Sequence, residues 1–165
     1  MKKTVCAVIA ISTAICSGSA LANHNAAGHK EKDDAIENAE SSASAAARIV
    51  GAFAVALASQ DERLARKMLA GDVLIAEGGG AERSFEEYAA HHLSADMEFM
   101  SGVKATLKKR DVIESGDIAI IVSESELHGE YQLKPVHSRM METMVLKLTD
   151  DGWRIQHIHW SSGNL

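Results

Sequence analysis

The chain has 165 residues and a formal net charge of −6 at pH 7, with 23 acidic and 17 basic side chains. This length suits one domain with a single hydrophobic core, and the acidic balance argues against nucleic acid or an anionic membrane as the main partner. Both cysteines, Cys6 and Cys16, lie near the N-terminus. A mature chain that has lost them contains no thiol for a disulfide, a nucleophile or an iron–sulfur cluster.

The first 22 residues have the composition of a secretory signal peptide. Lys2 and Lys3 make a cationic start, residues 5–16 form a short apolar run, and a small-x-small sequence ends at Ala22. This pattern predicts export, most simply to a bacterial periplasm, with cleavage after Ala22 and no membrane association of the processed chain. Removal of this segment would change the formal net charge to −8. We expect a flexible tail over residues 23–33 and one folded domain over residues 34–165.

Periodicity and turn residues predict helices in the first half of that domain. Ser59 and Ser84 each precede a Glu three positions later, which is the capping-box pattern of a helix start. Gly71 is expected to end the second helix, and the three glycines 78–80 predict a turn after a short strand. The predicted elements are a helix over 34–58, a helix from Ser59 to Leu69, a strand over 73–76 and a helix over 84–100.

After Gly102 the apolar period changes from 3.6 to 2, which indicates strands. Short connections rich in Gly, Asp and Ser separate four predicted strands, over 104–114, 118–127, 136–148 and 153–161. Helices that precede an antiparallel meander predict an α+β fold. In this fold three N-terminal helices would pack in the concave side of a strongly curved, mostly antiparallel sheet.

Three segments of the C-terminal half carry a family resemblance. They are Glu142-Thr143-Met144-Val145, Asp151-Gly152-Trp153-Arg154-Ile155 and His157-Ile158-His159-Trp160-Ser161-Ser162. Together they resemble the closing hairpin of nuclear transport factor 2-like proteins, most closely the SnoaL-like and ketosteroid-isomerase-like branch. They are also similar to the association domain of the calcium/calmodulin-dependent protein kinase. The resemblance implies a cone with one pocket and dimerisation through the sheet. Its members include isomerases, dehydratases, cyclases and pure binding or assembly domains, so it does not settle the function.

Strand alternation places Trp153, Ile155, His157 and His159 on one face, which we expect to be the concave face. Two histidines two residues apart on a strand are separated by about 7 Å, close enough to share a ligand or a metal. Ile158 and Trp160 would then lie on the outer face, where they would be buried in a homodimer. Further pocket candidates come from the helix 84–100 and from the rim of the cone, after the first strand. The third strand of the meander supplies either Arg139 or Glu142. Arg139 could instead form a salt bridge with Glu124 or Glu126. The predicted pocket residues are Glu77, Tyr88, His91, His92, Arg139, Glu142, His157 and His159.

These residues leave four functional hypotheses open. The first is an exported SnoaL-like domain that binds a small ligand in a histidine-lined pocket. The second is a small lyase or isomerase, with His92, His157 or Glu77 as catalytic candidates and a histidine as general base. The third is a periplasmic zinc- or copper-binding protein that uses His92, His157 and His159, with His24 in the tail as a separate copper ligand. The fourth is an assembly domain that binds no ligand.

Overall fold

The computed structural model describes residues 44–165, so the predicted signal peptide, tail, His24 and first ten residues of the predicted first helix lie outside the described residues. The described part is an α+β fold in which helices precede a six-stranded sheet. The helices are α1 (Ala45–Ala58), α2 (Glu62–Met68), α3 (Phe85–His91) and α4 (Leu93–Gly102). The strands are β1 (Leu69–Glu77), β2 (Gly80–Glu82), β3 (Val103–Ser115), β4 (Ile118–Tyr131), β5 (Lys134–Thr149) and β6 (Gly152–Asn164). The prediction of three helices is not confirmed, because the third is divided and part of the first lies outside this range.

The strands form one mixed sheet in the order β2-β1-β6-β5-β4-β3. β1 pairs with β6 in parallel, and every other neighbouring pair is antiparallel. The four predicted C-terminal strands are present, each slightly longer than expected. β2 was not predicted, and β1 begins at Leu69, so Gly71 lies inside a strand and does not end a helix. No helix among residues 44–165 has the length and apolar character needed to cross a membrane.

The chain between α1 and α2 corrects the predicted helix start at Ser59. The N–H of Asp61 donates to the carbonyl of Ala56 at 2.9 Å, and Gln60 has a φ of 57°. This is a helix C-terminus of the Schellman type, in which one residue takes a left-handed conformation. Ser59 is therefore the C-cap of α1, and the Asp61 carboxylate caps α2 by accepting from the N–H of Leu64 at 2.9 Å. Both residues have capping chemistry, and the later one starts the helix.

The helix α1 packs on one face of the sheet, which we call the inner face. Phe53 of α1 stacks on Trp160 of β6, with ring centroids 6.3 Å apart and planes inclined by 7°. Ile121, Met144 and Leu146 of the neighbouring strands are buried on the same face. The opposite face, which we call the outer face, carries the alternate residues of these strands.

A bulge at Gln156 reverses the predicted faces of the last strand. Leu146 pairs with Ile155 and Val145 pairs with His157, so Gln156 is an extra residue between two ladder positions. Beyond this point Ile158 and Trp160 face the core and are buried, whereas His157 and His159 lie on the outer face. The prediction that the two histidines line the concave side is wrong, as is the prediction that Ile158 and Trp160 form a dimer contact. A single inserted residue shifts the alternation by one position.

Candidate functional site

Two acidic side chains reach the inner face from the short hairpin at the edge of the sheet. Val73 and Ile75 of β1 are buried, so alternation places Glu77 on the same inner face. Glu82 of β2 pairs with Ile75 and therefore lies on that face as well. The predicted glycine turn forms here, and Gly78 and Gly79 take φ values of 57° and 85°. Those angles suit glycine and bring β2 back beside β1.

The helices α3 and α4 cover these carboxylates. Ser84 caps α3 as predicted, since its hydroxyl accepts from the N–H of Glu87 at 3.1 Å. The helix was expected to continue to Met100, but it is interrupted at His92. This residue is both the C-cap of α3 and the N-cap of α4. His92 lies beside β2, and its Nδ1 atom forms a short hydrogen bond with Oε1 of Glu82. The interruption therefore occurs at the residue whose side chain is held by the edge hairpin.

Glu77, Glu82, Tyr88, His92 and Asp96 form one group, which we call the acidic cluster. The Tyr88 hydroxyl is buried and donates to Oδ2 of Asp96 at 2.7 Å. Glu82 is only 7% exposed, and His92 is its partner. A buried carboxylate is costly unless a charge or a hydrogen bond compensates it. The cluster therefore consists of two bonded pairs, Tyr88–Asp96 and His92–Glu82, with Glu77 beside them.

Four groups of the acidic cluster, Glu77, Tyr88, His92 and Asp96, have raised pKa values. Burial, followed by the negative charge of Asp96, raises the pKa of Glu77 to about 7. Glu77 is exposed at the end of β1, and its carboxyl group is partly buried. Burial also raises the pKa of Asp96, and burial with the Asp96 charge moves the pKa of Tyr88 far above its usual range. The hydrogen bond that the Nδ1–H of His92 donates to Glu82 raises the pKa of His92 and favours the imidazolium form.

A row of polar residues extends from the cluster across the inner face. Trp160 is in register with Glu77 on one side and with Glu142 on the other, and Ser123 and Arg110 follow on β4 and β3. The Trp160 indole N–H donates to Oε2 of Glu142 at 3.0 Å, and Nε of Arg110 donates to the Ser123 hydroxyl at 3.1 Å. Glu142 is 8% exposed, and burial is the main cause that raises its pKa. One register row across the inner face thus carries polar groups, whereas Ile121, Met144 and Leu146 beside it are apolar.

The register of this row shows which of Arg139 and Glu142 on β5 faces inward. Glu142 faces inward, whereas Arg139 lies on the outer face and forms an ion pair with Glu124, with 3.2 Å between Nε and Oε1. Strand alternation permits only one of the two to face inward, because they are three residues apart. Arg139 is therefore not a pocket residue, and the salt bridge considered from the sequence is formed.

The predicted histidine group is not assembled. Nδ1 of His157 lies 2.8 Å from the carbonyl oxygen of Leu74 on the outer face, and His159 is exposed there. His91 is exposed at the end of α3, with its ring 6.5 Å from that of His92. Within residues 44–165 there is no group of three or more His, Cys, Asp or Glu side chains placed to hold a metal ion. Of the four histidines proposed for the pocket, His92 alone joins the acidic cluster.

Sequence reasoning missed Glu82, and it missed Arg110 and Ser123 in the row. A three-residue strand gives no detectable alternation, so Glu82 was not assigned a face. The signal that could have found it is the glycine turn, because a tight hairpin after Glu77 brings the next residues back beside β1. An open groove of about 380 Å³ lies elsewhere, between the end of α1 and α4, and is lined by Gln60, Leu93 and Met97 among others. It includes no residue of the acidic cluster.

The fold is that of a small α+β domain in which helices pack on one face of a mixed sheet. The chain belongs to the SnoaL-like domain family, whose model matches residues 47–164. Among solved structures it is similar to a proposed ketosteroid isomerase from Shewanella frigidimarina, with 46% identity, 72% of this chain and 95% of that chain covered, and a TM-score of 0.70.

More distant likenesses show the fold alone. The CaMKII hub of S. rosetta has 22% identity, covers 72% of this chain and 95% of its own, and gives a TM-score of 0.61. A proposed dehydratase of the NTF2-like family from Streptomyces avermitilis has 18% identity, 78% and 96% coverage, and a TM-score of 0.57. The curated proteins contain no significant match to this chain.

Proposed function

We propose that this SnoaL-like domain binds a small carbonyl compound at the acidic cluster and acts on it as an acid–base isomerase or lyase. The observation that carries the proposal is the gathering of three carboxylates, a tyrosine and a histidine at one end of the inner face. Like charges that are buried close to one another destabilise the folded protein, and such arrangements are typical of catalytic sites. The similarity to a proposed ketosteroid isomerase supports the same reaction class.

Glu77 is the residue best suited to move a proton. With a pKa of about 7, its carboxyl group is present in both the protonated and the ionised form at neutral pH. A general base is most effective when its pKa is close to the working pH, because it is then both ionised and sufficiently basic. Glu77 therefore replaces histidine as the general base in this proposal.

His92 is suited to stabilise negative charge. Its Nδ1 atom is engaged by Glu82, and its side chain is 48% exposed, so the Nε2–H group is available to a ligand. Tyr88 is fully buried and donates a hydrogen bond to Asp96, so we regard it as a positioning residue.

In the reaction Glu77 takes a proton from the carbon next to the carbonyl, and negative charge develops on the carbonyl oxygen. The Nε2–H group of His92 donates a hydrogen bond to that oxygen. Glu77 then returns the proton to another carbon, or a leaving group departs with the electron pair.

The proposal is tested by exchange of hydrogen for deuterium next to the carbonyl in a panel of small ketones in D₂O, followed by proton NMR. We expect catalysed exchange whose rate rises with pH through about 7, as Glu77 ionises. Glu77→Gln should lower the rate by about 10²–10⁴-fold, which is the usual contribution of a general base. The matched control is Glu114→Gln, an exposed glutamate on β3 at the opposite edge of the sheet.

Two results would contradict the catalytic role. Unchanged exchange in Glu77→Gln would exclude this residue as the base. Ligand-induced chemical shifts at the cluster without exchange would leave a binding domain, and the absence of both would leave an assembly domain.

We also propose that the protein is exported and processed after Ala22. The cationic start, the apolar run and the small-x-small sequence of the N-terminus support this proposal. N-terminal sequencing of the protein from the periplasmic fraction should begin at Asn23. Recovery of the unprocessed chain in the cytoplasm alone would contradict it.

We propose further that a second copy of the chain covers the outer face. Ile113, Ile120 and Val145 occupy one register row across β3, β4 and β5, and Ile113 is 62% exposed. The flanking charges are paired within the chain, as Lys109 with Asp111 at 2.9 Å and Arg139 with Glu124 at 3.2 Å. Two such faces can therefore meet without a net repulsion between like charges, while their apolar rows are removed from water.

The oligomeric state tests this interface. Ile113→Lys should convert a dimer to a monomer by light scattering, because a charge would be placed in the apolar contact. The control is Leu133→Lys, which adds the same charge at a 90% exposed position in the β4–β5 turn. A monomeric wild type, or a variant of unchanged mass, would contradict the interface.

A further inference from the structure

A pair of histidines lies on the outer face, apart from the acidic cluster. His128 of β4 and His137 of β5 are directly opposite each other in the ladder. Their Nδ1 atoms are 3.0 Å apart, and their ring centroids are 5.3 Å apart with planes at 67°. The turn that joins the two strands contains Gln132 and Leu133, both with positive φ. Cross-strand pairing holds the two backbones at a fixed separation, so the hairpin keeps the two imidazoles as direct neighbours.

Two imidazole nitrogens at this distance have room for one proton between them. One ring must therefore present a lone pair to the other. When that proton is absent, both nitrogens have a lone pair available, and both can be directed to one metal ion. Neutral imidazole is a preferred ligand of zinc, copper and nickel.

The separation of the nitrogens discriminates between metals. With metal–nitrogen bonds of about 2.0–2.1 Å, a distance of 3.0 Å between the two nitrogens corresponds to an angle of about 90° at the metal. Square-planar copper(II) requires that angle between adjacent ligands, whereas tetrahedral zinc requires about 109° and a wider separation. The pair is therefore compatible with copper(II), and the general order of affinities, in which copper(II) binds nitrogen sites more tightly than zinc, favours the same metal.

Some of the neighbouring charges favour a bound cation and others oppose it. Oε2 of Glu126 lies 3.8 Å from Nε2 of His128, on the ring atom that faces away from His137. At this distance the carboxylate acts through its negative charge, which favours a cation bound at the pair. Lys108 pairs with the same carboxylate at 3.2 Å, and Lys104 is in register with His128 on β3. These lysines oppose a bound cation, so we expect an affinity below that of a closed four-ligand site.

We propose that His128 and His137 form a two-histidine site for copper(II), with water in the remaining positions. This site is distinct from the acidic cluster and uses none of its residues. It also differs from the metal site expected from the sequence, since His92, His157 and His159 do not meet.

The test is a copper(II) titration of the processed full-length protein, followed by electron paramagnetic resonance. His137→Gln should remove one copper equivalent with coordination by two imidazole nitrogens, or weaken its affinity by about tenfold or more. His157→Gln is the matched control, because it removes one imidazole from the same outer face. Copper bound by histidines of the N-terminal tail would be present equally in all three proteins.

Three outcomes would overturn the site. The first is the same copper stoichiometry and spectrum in wild type and His137→Gln. The second is an equal loss in His157→Gln, which would indicate adventitious binding by any surface histidine. The third is zinc binding at this pair as tight as copper binding, since the nitrogen separation would then not select the metal.

Discussion

The two faces of the sheet carry opposite kinds of unusual residue. On the inner face Glu82, Ser123 and Glu142 are polar and buried, and within residues 44–165 every buried side-chain nitrogen or oxygen has a hydrogen-bond partner. On the outer face Ile113 and Met141 are apolar and exposed. Polar groups are buried at a cost in free energy and apolar groups are exposed at a cost, so each face departs from the usual pattern. The first departure suggests a site for a ligand, and the second suggests a surface for a partner.

The largest expected effect on stability comes from two adjacent residues of β6 that point to opposite faces, Trp160 and His159. Trp160→Ala would remove the ring that stacks on Phe53 and the N–H that donates to Glu142. We expect a loss of about 3–5 kcal/mol in the free energy of unfolding, as for other large buried aromatic residues. His159→Ala, on the exposed side, should change it by less than about 0.5 kcal/mol. Chemical denaturation followed by circular dichroism measures both values.

A third variant keeps this test informative if Trp160→Ala does not fold. Trp160→Phe retains an aromatic ring and removes the indole N–H that donates to Glu142, so it should lose about 1–3 kcal/mol in the free energy of unfolding. A Trp160→Ala variant that is fully stable but monomeric would instead place Trp160 in an interface.

The position of Trp160 shows where sequence reasoning succeeds and where it fails. The strands after Gly102 were predictable because alternation continues over many residues and glycines or aspartates mark each turn. The bulge at Gln156 has no such signal, since it inserts one ordinary residue into an otherwise regular strand. Because of this one residue, every later residue of β6 lies on the face opposite to the predicted one. The division of the helix at His92 was equally unmarked, because neither glycine nor proline is present there.

A smaller test concerns the pH dependence of stability, through Glu77. Its pKa is about 7 in the folded protein and 4.5 for a glutamate surrounded by water, so the unfolded chain releases the proton first as the pH rises. The stability it contributes is fully present below about pH 4.5 and is lost as the pH rises through about 7. Glu77→Gln should therefore match the wild type at pH 4 and be more stable at pH 8. Calorimetry at both values measures this, and Glu114→Gln should show no such divergence. Equal melting temperatures of Glu77→Gln and wild type at pH 8 would indicate an ordinary carboxylate.

The acidic cluster could be predicted in part. Glu77, Tyr88 and His92 were among the pocket candidates because they fall at the end of a strand and along one helical stripe. Their partners could not be assigned from the sequence, because the contact between His92 and Glu82 depends on a three-residue strand and on the helix interruption. Whether Arg139 or Glu142 faces inward depended on the strand register, which a methionine-rich alternation does not define.

The smallest expected effect belongs to Arg139, three residues before Glu142 on the same strand. Its ion pair with Glu124 lies on the outer face, where both side chains are partly in water. Such pairs contribute about 0.2–1 kcal/mol, and salt screens them. In a monomer Arg139→Ala should lose no more than this, and the loss should diminish at high ionic strength in denaturation experiments. A second copy on the outer face would bury the pair, and removal of Arg139 would then leave Glu124 as an uncompensated buried charge at a larger cost. Repeating the measurement in the Ile113→Lys background separates the two cases. A large loss that becomes small when Ile113 is replaced would identify Arg139 as part of the interface, whereas a loss that is small in both backgrounds would confine the interface to the apolar row.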